Sequence, residues 1–128
     1  MQETTAPAQD TSVIEPLAIW LGLVRYYGSL SAKPGWEHLV PLFDFVKQLS
    51  TSVVSVDYFP SLIEDALVIS KTPIDPDGEL PRRLLIDVTA EGHVLMTCFS
   101  VGDDVATAQL DAPRESALDA LWHLLQDL

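Results

Sequence analysis

Hydrophobic residues along this chain recur first with the period of a helix and then with the period of a strand. An apolar run from Leu17 to Val24 predicts a first helix, and from Trp36 to Leu49 apolar residues return at spacings of three and four, which predicts a second. A third stripe runs from Ala117 to Leu128. Between them, residues 84 to 99 alternate between two sides, as β-strands do. This order of elements predicts an α+β domain with an antiparallel sheet.

The first predicted helix is apolar around most of its circumference. We expect it to begin after Thr11 or Ser12, either of which can cap it, and to end at Gly28 with residues 25 to 27 facing solvent. A helix of this kind is usually buried on several sides or shared with another chain. Its apolar residues are Leu17, Ile19, Trp20, Leu21, Leu23 and Val24.

The second predicted helix contains a proline near its start. Because proline is tolerated in the first turn of a helix but not in its interior, Pro41 leaves two interpretations. Either the helix begins near Val40, which we favour, or residues 36 to 40 form a separate turn before a kink. The last helix is expected to begin after Asp111, with Pro113 in its first turn.

The alternating region predicts a meander of three or four strands, in which residues 90–92 and 102–104 are hairpin connections. The segment from Val105 to Leu110 has small and polar side chains, which suit an edge strand or a half-exposed one. Ala66 to Ser70 is predicted as an earlier strand, preceded by a helical turn over residues 62–65, while residues 51 to 61 leave strand, helix and loop open. One sheet face is expected to take the last helix, and the other to take the N-terminal pair or to stay partly open.

Length and composition indicate one folded unit. The chain has 128 residues, of which 48% are hydrophobic, and a chain of this size can bury a useful core without disulfides. Residues 1 to 12 are small and polar and are predicted to form a flexible tail, so the domain is expected to span residues 13 to 128. The surplus of apolar side chains suggests that some are buried against a partner.

The charge is strongly acidic and restricts the class of partner. Nineteen Asp and Glu face seven Lys and Arg, for a net charge of −12, so direct binding of nucleic acid or of anionic membranes is disfavoured. A basic protein would be attracted. Cys98 is the single cysteine, consistent with a cytoplasmic protein, and the apolar run that Arg25 closes is too short to span a bilayer.

Groups that carry enzymatic or metal chemistry are scattered, so neither a cofactor nor a metal site is predicted. Residues 75 to 79 resemble the start of a calcium loop but lack glycine at the sixth position and Glu at the twelfth. His93 and Cys98 lie five apart on one predicted strand, which directs their side chains to opposite faces. The three histidines, His38, His93 and His123, fall on separate elements without metal-ligand spacing.

These observations favour a non-enzymatic protein-binding module, most simply a small acidic inhibitor or immunity-type protein that acts on a basic partner. One alternative is an assembly subunit that forms homo-oligomers through its apolar first helix. Another is an enzyme or small-ligand binder with a pocket between helices and sheet. In the inhibitor hypothesis carboxylates steer the partner and aromatic residues anchor it. The candidate residues are Asp75, Asp77, Glu79, Asp103 and Asp104 for steering, and Tyr58 and Phe59 for anchoring.

Overall fold

A computed structural model describes residues 16–75, 77–102, 105–126 and 128, and confirms the α+β class. The predicted tail, residues 1 to 12, lies outside the described residues. Within them, no helix combines the length and the apolarity that crossing a bilayer requires. The described residues form helices α1 (Pro16–Ser31), α2 (Val40–Ser50), α3 (Val54–Asp57) and α4 (Arg114–Leu125), with a 3-10 turn at Glu37–Leu39 before α2.

The described strands form one antiparallel sheet in which neighbours along the chain are neighbours in space. Cross-strand partners share a face, so the register shows which side chains lie together. Leu67 lies opposite Ile86, which lies opposite Met96, and all three belong to the buried core. The strands are β1 (Phe59–Ile63), β2 (Ala66–Ser70), β3 (Arg83–Val88), β4 (Val94–Phe99) and β5 (Ala106–Ala112).

The described helices pack on a single face of this sheet. Trp20 of α1, Leu42 of α2 and Leu121 of α4 are fully buried in one cluster with the sheet residues that point toward them. Val68, on the opposite face, is buried but does not belong to that cluster. The molecule therefore has two layers, and of the alternatives for the second sheet face, the partly open one is correct.

Two predictions about the first helix are wrong. The helix continues past Gly28 to Ser31, because Gly28 serves close packing rather than termination: a Cβ there would lie 3.1 Å from the Phe43 ring of α2. Tyr27, predicted to face solvent, is fully buried. The preferred late start of the second helix is confirmed, since α2 begins at Val40.

The region between α2 and β2 also differs from the prediction. Residues 51 to 61, which the sequence left open, divide into the short helix α3 and the start of β1. The predicted helical turn over residues 62–65 is wrong, because Leu62 and Ile63 pair with β2 and the chain turns at Glu64, whose φ is 55°. The described sheet therefore has five strands rather than three or four. Pro60 hid β1 in the sequence, since proline is rare in strands except at edges.

Two aromatic hydrogen bonds connect α1 to the sheet. The Trp20 Nε1–H donates to the carbonyl of Tyr58 at 3.0 Å, and the Tyr27 hydroxyl donates to the carbonyl of Asp65 at 2.9 Å. The two acceptors lie at opposite ends of β1–β2, so together the bonds set the position of α1 along the sheet. Both aromatic side chains are fully buried, and each needs its partner because a buried polar group without one is costly.

Replacing Trp20 by alanine should lower the free energy of unfolding by about 3–5 kcal/mol, as for other large core side chains. Trp36 is more than a third exposed and is the matched control. Its replacement by alanine should cost less than about 1 kcal/mol. Urea unfolding monitored by circular dichroism measures both, and equal losses would contradict the core assignment of Trp20.

Burial, with the nearby Tyr26, Asp65 and Asp87 adding to it, raises the pKa of the Tyr27 hydroxyl above its ordinary value. As the pH rises past about 10, this hydroxyl ionises in the unfolded chain but stays protonated in the folded one, so stability falls. Tyr27→Phe should cost about 1 kcal/mol at neutral pH through the lost hydrogen bond. It should also flatten the decline of stability above that pH, measured by denaturant unfolding. An unchanged alkaline decline would contradict the role of Tyr27.

Candidate partner-binding surface

The histidines and the cysteine lie apart in the structure. The His38 ring stacks on Trp36 at the surface, His93 Nδ1 lies 2.9 Å from Asp111 Oδ1, and Cys98 is half-buried against the core. Among the residues that the structure describes, no three His, Cys, Asp or Glu side chains are grouped closely enough to hold a metal ion. In the described structure His38 and His93 therefore each contact one neighbouring side chain, and Cys98 packs against the core.

One surface cleft combines polar groups of several kinds. It has a volume of about 320 Å³ and lies between the start of α2, the β3–β4 turn and the start of α4. Glu37, His38, Thr89 and Arg114 line it, but the Arg114 guanidinium is bonded to the carboxylate of Asp44. The cleft is open to solvent and thus differs from the enclosed, mostly apolar pockets that hold small ligands.

The residues predicted to contact a partner gather at one end of the sheet. The β2–β3 connection, the β4–β5 connection and the start of β1 all lie there, because alternate ends of antiparallel strands meet. We call this the loop end, residues 58–59, 71–75, 77–83 and 100–102. It contains Tyr58, Phe59, Asp75, Asp77 and Glu79. Asp103 and Asp104 lie outside the described residues, and their role stays a prediction.

Within the loop end, a turn holds the Asp75 carboxylate. The backbone N–H of Asp77 donates to Asp75 Oδ1 at 2.9 Å. The N–H of Gly102 donates to the carbonyl of Leu80 at 2.8 Å, which fastens the two connections together and brings Glu79 beside Gly102. The described carboxylates of this set, Asp75, Asp77 and Glu79, are exposed.

The two aromatic candidates at the loop end differ in their availability. The Tyr58 hydroxyl donates to the carbonyl of Leu125 at 3.0 Å and its own carbonyl accepts from Trp20, so this residue connects α1, β1 and α4. Burial, with the charge of Asp57 adding to it, raises the pKa of Tyr58. Phe59 is half-buried at the edge of β1, beside a shallow cavity of about 180 Å³. Both side chains are half-buried, and of the two Tyr58 packs against the core cluster.

The opposite end of the sheet is the more acidic one. The loop end also contains Lys71, Arg82 and Arg83, three of the seven basic residues of the chain. The other end, which we call the hairpin end, consists of the turns at 64–65 and 89–93 and the adjoining strand ends, and these segments contain no Lys or Arg. Its acidic residues are Glu64, Asp65, Asp87, Glu91 and Asp111.

Sequence reasoning missed the hairpin end because its acids are far apart along the chain. The register brings them together: Asp87 lies opposite Leu95, which lies opposite Asp111, so the two carboxylates are two strand spacings apart on the open face. That separation is about 10 Å. The predicted meander already implied this clustering, because the strand ends that flank residues 89–93 lie at the same end of an antiparallel sheet.

Comparison with known proteins finds no family model, no curated protein and no solved structure that matches this chain. We therefore infer a function from the geometry and charge of the molecule itself.

Proposed function

We propose that this chain is a non-enzymatic protein-binding module, of the inhibitor or immunity type, that acts on a basic protein. The observation that carries the proposal is the hairpin end, where acidic side chains from three separate segments converge. These segments contain no Lys or Arg, and Arg114, which lines the cleft beside the 89–93 turn, is hydrogen-bonded to Asp44. Four of the five, all except the half-buried Asp65, are exposed. A surface of this kind attracts a cationic protein and repels the phosphate backbone of nucleic acid.

The physical effect of such a surface is greater on the rate of association than on the strength of any one contact. An exposed ion pair contributes only about 0–1 kcal/mol. A summed field of one sign, in contrast, raises association rates by roughly 10- to 1,000-fold at low ionic strength. The net charge of −12 provides that field, and the hairpin end concentrates it on one side of the molecule.

A protein-binding role also agrees with the composition of the protein interior. The residues buried most deeply are apolar, and the buried Arg83 donates to the carbonyls of Pro81 and Ser100 at the loop end. Catalysis needs convergent polar groups around a site that excludes water. The cleft beside Arg114 offers mixed polar groups in the open, which gives less support to an enzyme or a small-ligand binder.

An assembly subunit is the second candidate, and one observation favours it. Leu17 and Leu21 lie one turn apart on α1 and are 38% and 48% exposed, so they form a small apolar patch outside the core. The buried side of α1, with Trp20, Leu23 and Tyr27, is already covered by the rest of the chain. Sedimentation distinguishes the two candidates: a stable dimer that Leu21→Glu dissociates would favour assembly.

The test of the proposal is a comparison of two triple variants with the same loss of charge. The hairpin-end variant is Glu64→Gln, Asp87→Asn, Glu91→Gln, and the loop-end control is Asp75→Asn, Asp77→Asn, Glu79→Gln. The partner is first isolated by affinity capture from the native source and identified by mass spectrometry. Its association rate is then measured by stopped flow at low and high salt.

The hairpin-end variant should associate about tenfold more slowly at low salt, with a weaker salt dependence, and the control should lose about threefold or less. The difference arises because basic residues already offset the loop-end carboxylates. A captured partner that is not basic, or rates that neither variant changes, would contradict the proposal.

A further inference from the structure

The outer edge of β5 is the longest exposed strand edge of the described sheet. From Ala106 to Asp111 its residues are all exposed, and no other strand among the described residues pairs with its far side. An exposed edge of this length is a template for pairing with another chain, and proteins usually protect it with proline, lysine or a covering element. The β5 sequence contains neither proline nor a basic residue.

The other edge strand shows the protection that β5 lacks. β1 contains Pro60, which cannot donate a backbone hydrogen bond, and α1 packs against it. Trp20 fastens the start of that strand by its bond to the carbonyl of Tyr58. The two edges of the described sheet therefore differ, and within the part of the chain that the structure describes the β5 edge has space for an added strand beside it.

That space consists of two grooves along the helix side of β5. The first, about 420 Å³, lies between β5 and α4 with Leu110, Ala112 and Ala120 in its lining. The second, about 270 Å³, is lined by Ala108 and Leu128, and Leu124 of α4 belongs to both. Leu110 is 40% exposed although its partner Met96 is fully buried, because α4 leaves the outer side of β5 uncovered.

The positions of the grooves match the repeat of an extended chain. Ala108 and Leu110 are two residues apart and lie opposite Cys98 and Met96 on the same sheet face. Side chains two apart on a strand are separated by about 7 Å and point the same way. A strand added beside β5 would therefore direct alternate side chains toward the two grooves, which is how edge-binding domains obtain specificity.

The charge around the first groove indicates which chain fits. Asp119 lines it with His123, which lies 3.9 Å away, and Asp111 borders it although its side chain belongs to the open face. Added residues that point to the open face would lie beside Asp111. A second copy of this chain would bring the same carboxylates and another net charge of −12 against this edge, whereas a basic segment meets opposite charge at the first groove. Arg82 lines the second groove, so the basic residues of the segment belong beside the first.

We propose that the β5 edge binds an extended segment of the partner protein as a sixth strand, with apolar side chains at alternate positions in the grooves and Lys or Arg between them. This inference rests on the proposed function, since it specifies the part of a basic partner that this chain recognises. Backbone hydrogen bonds supply affinity, and the grooves and Asp111 select the sequence.

The probe is a blocked peptide of roughly nine residues in which valine alternates with lysine, long enough to cover the edge strand. The control peptide has the same composition with its valines consecutive, so both carry the same charge. Calorimetry measures affinity, and hydrogen exchange by NMR locates the bound segment. The variant is Leu110→Lys in the groove, and the matched control is Ile63→Lys, a 54% exposed residue on the other edge strand.

The alternating peptide should bind at least about tenfold more tightly than its control, the equivalent of burying one aliphatic side chain. Exchange of amides in residues 106–112 should slow on binding. Leu110→Lys should abolish the preference and Ile63→Lys should keep it. If Leu110→Lys does not fold, Ala108→Lys in the neighbouring groove takes its place. Equal binding of the two peptides, or equal effects of the two variants, would overturn the inference.

Failure of this inference can be told apart from failure of the proposed function. A captured basic partner that binds Leu110→Lys as tightly as the parent chain overturns the edge site and leaves the proposed function intact. If the peptide preference depends on Leu110 but the captured partner is not basic, the edge site is supported and the proposed function is overturned. A homodimer that Leu110→Lys dissociates and Ile63→Lys does not would assign the edge to a second copy and overturn the inference.

Discussion

The structure depends on burial of one face of the antiparallel sheet. Leu67, Ile86 and Met96 lie side by side across three strands and are fully buried beneath the helices. Each such side chain contributes roughly 1.5–3 kcal/mol when it leaves water. Because the described helices all pack against this face, they do not cover the other one. The same constraint that stabilises the fold leaves a partly open face, on which Val68 is buried but Asp87 and Asp111 are exposed.

The polar contacts act within that arrangement. The bonds that Trp20 and Tyr27 donate to backbone carbonyls position α1, and the Tyr58 hydroxyl ties the end of α4 to the start of β1. Aromatic side chains donate these hydrogen bonds in the interior of the protein, whereas the carboxylates lie at its surface. Stability and recognition are therefore supplied by different sets of residues, which allows the acidic surface to vary without loss of the core.

The sequence predicted the parts of the fold that have a clear period. The alternation around Ile86 and the late start of α2 at Val40 both follow from local rules. Tertiary packing decided the rest: Gly28 is an interior helix residue because the Phe43 ring approaches it, and β1 contains Pro60 because it is an edge. The edge position predicted for the strand after residue 105 is confirmed.

The candidate surface was predictable only in part, because electrostatic neighbours need not be neighbours in sequence. The loop-end acids lie within a few residues of one another along the chain, so the sequence alone predicts them as a cluster. Asp87 and Asp111 become neighbours only through strand register, whereas Lys71 and Arg82 lie close to the loop-end acids along the chain itself.

Native-state hydrogen exchange, read amide by amide in the free protein, tests most directly whether one-sided burial shapes the molecule. We predict the slowest exchange in β2 and β3 and exchange faster by orders of magnitude in residues 106–111 of β5. Protection of β5 equal to that of β3 would contradict an uncovered edge.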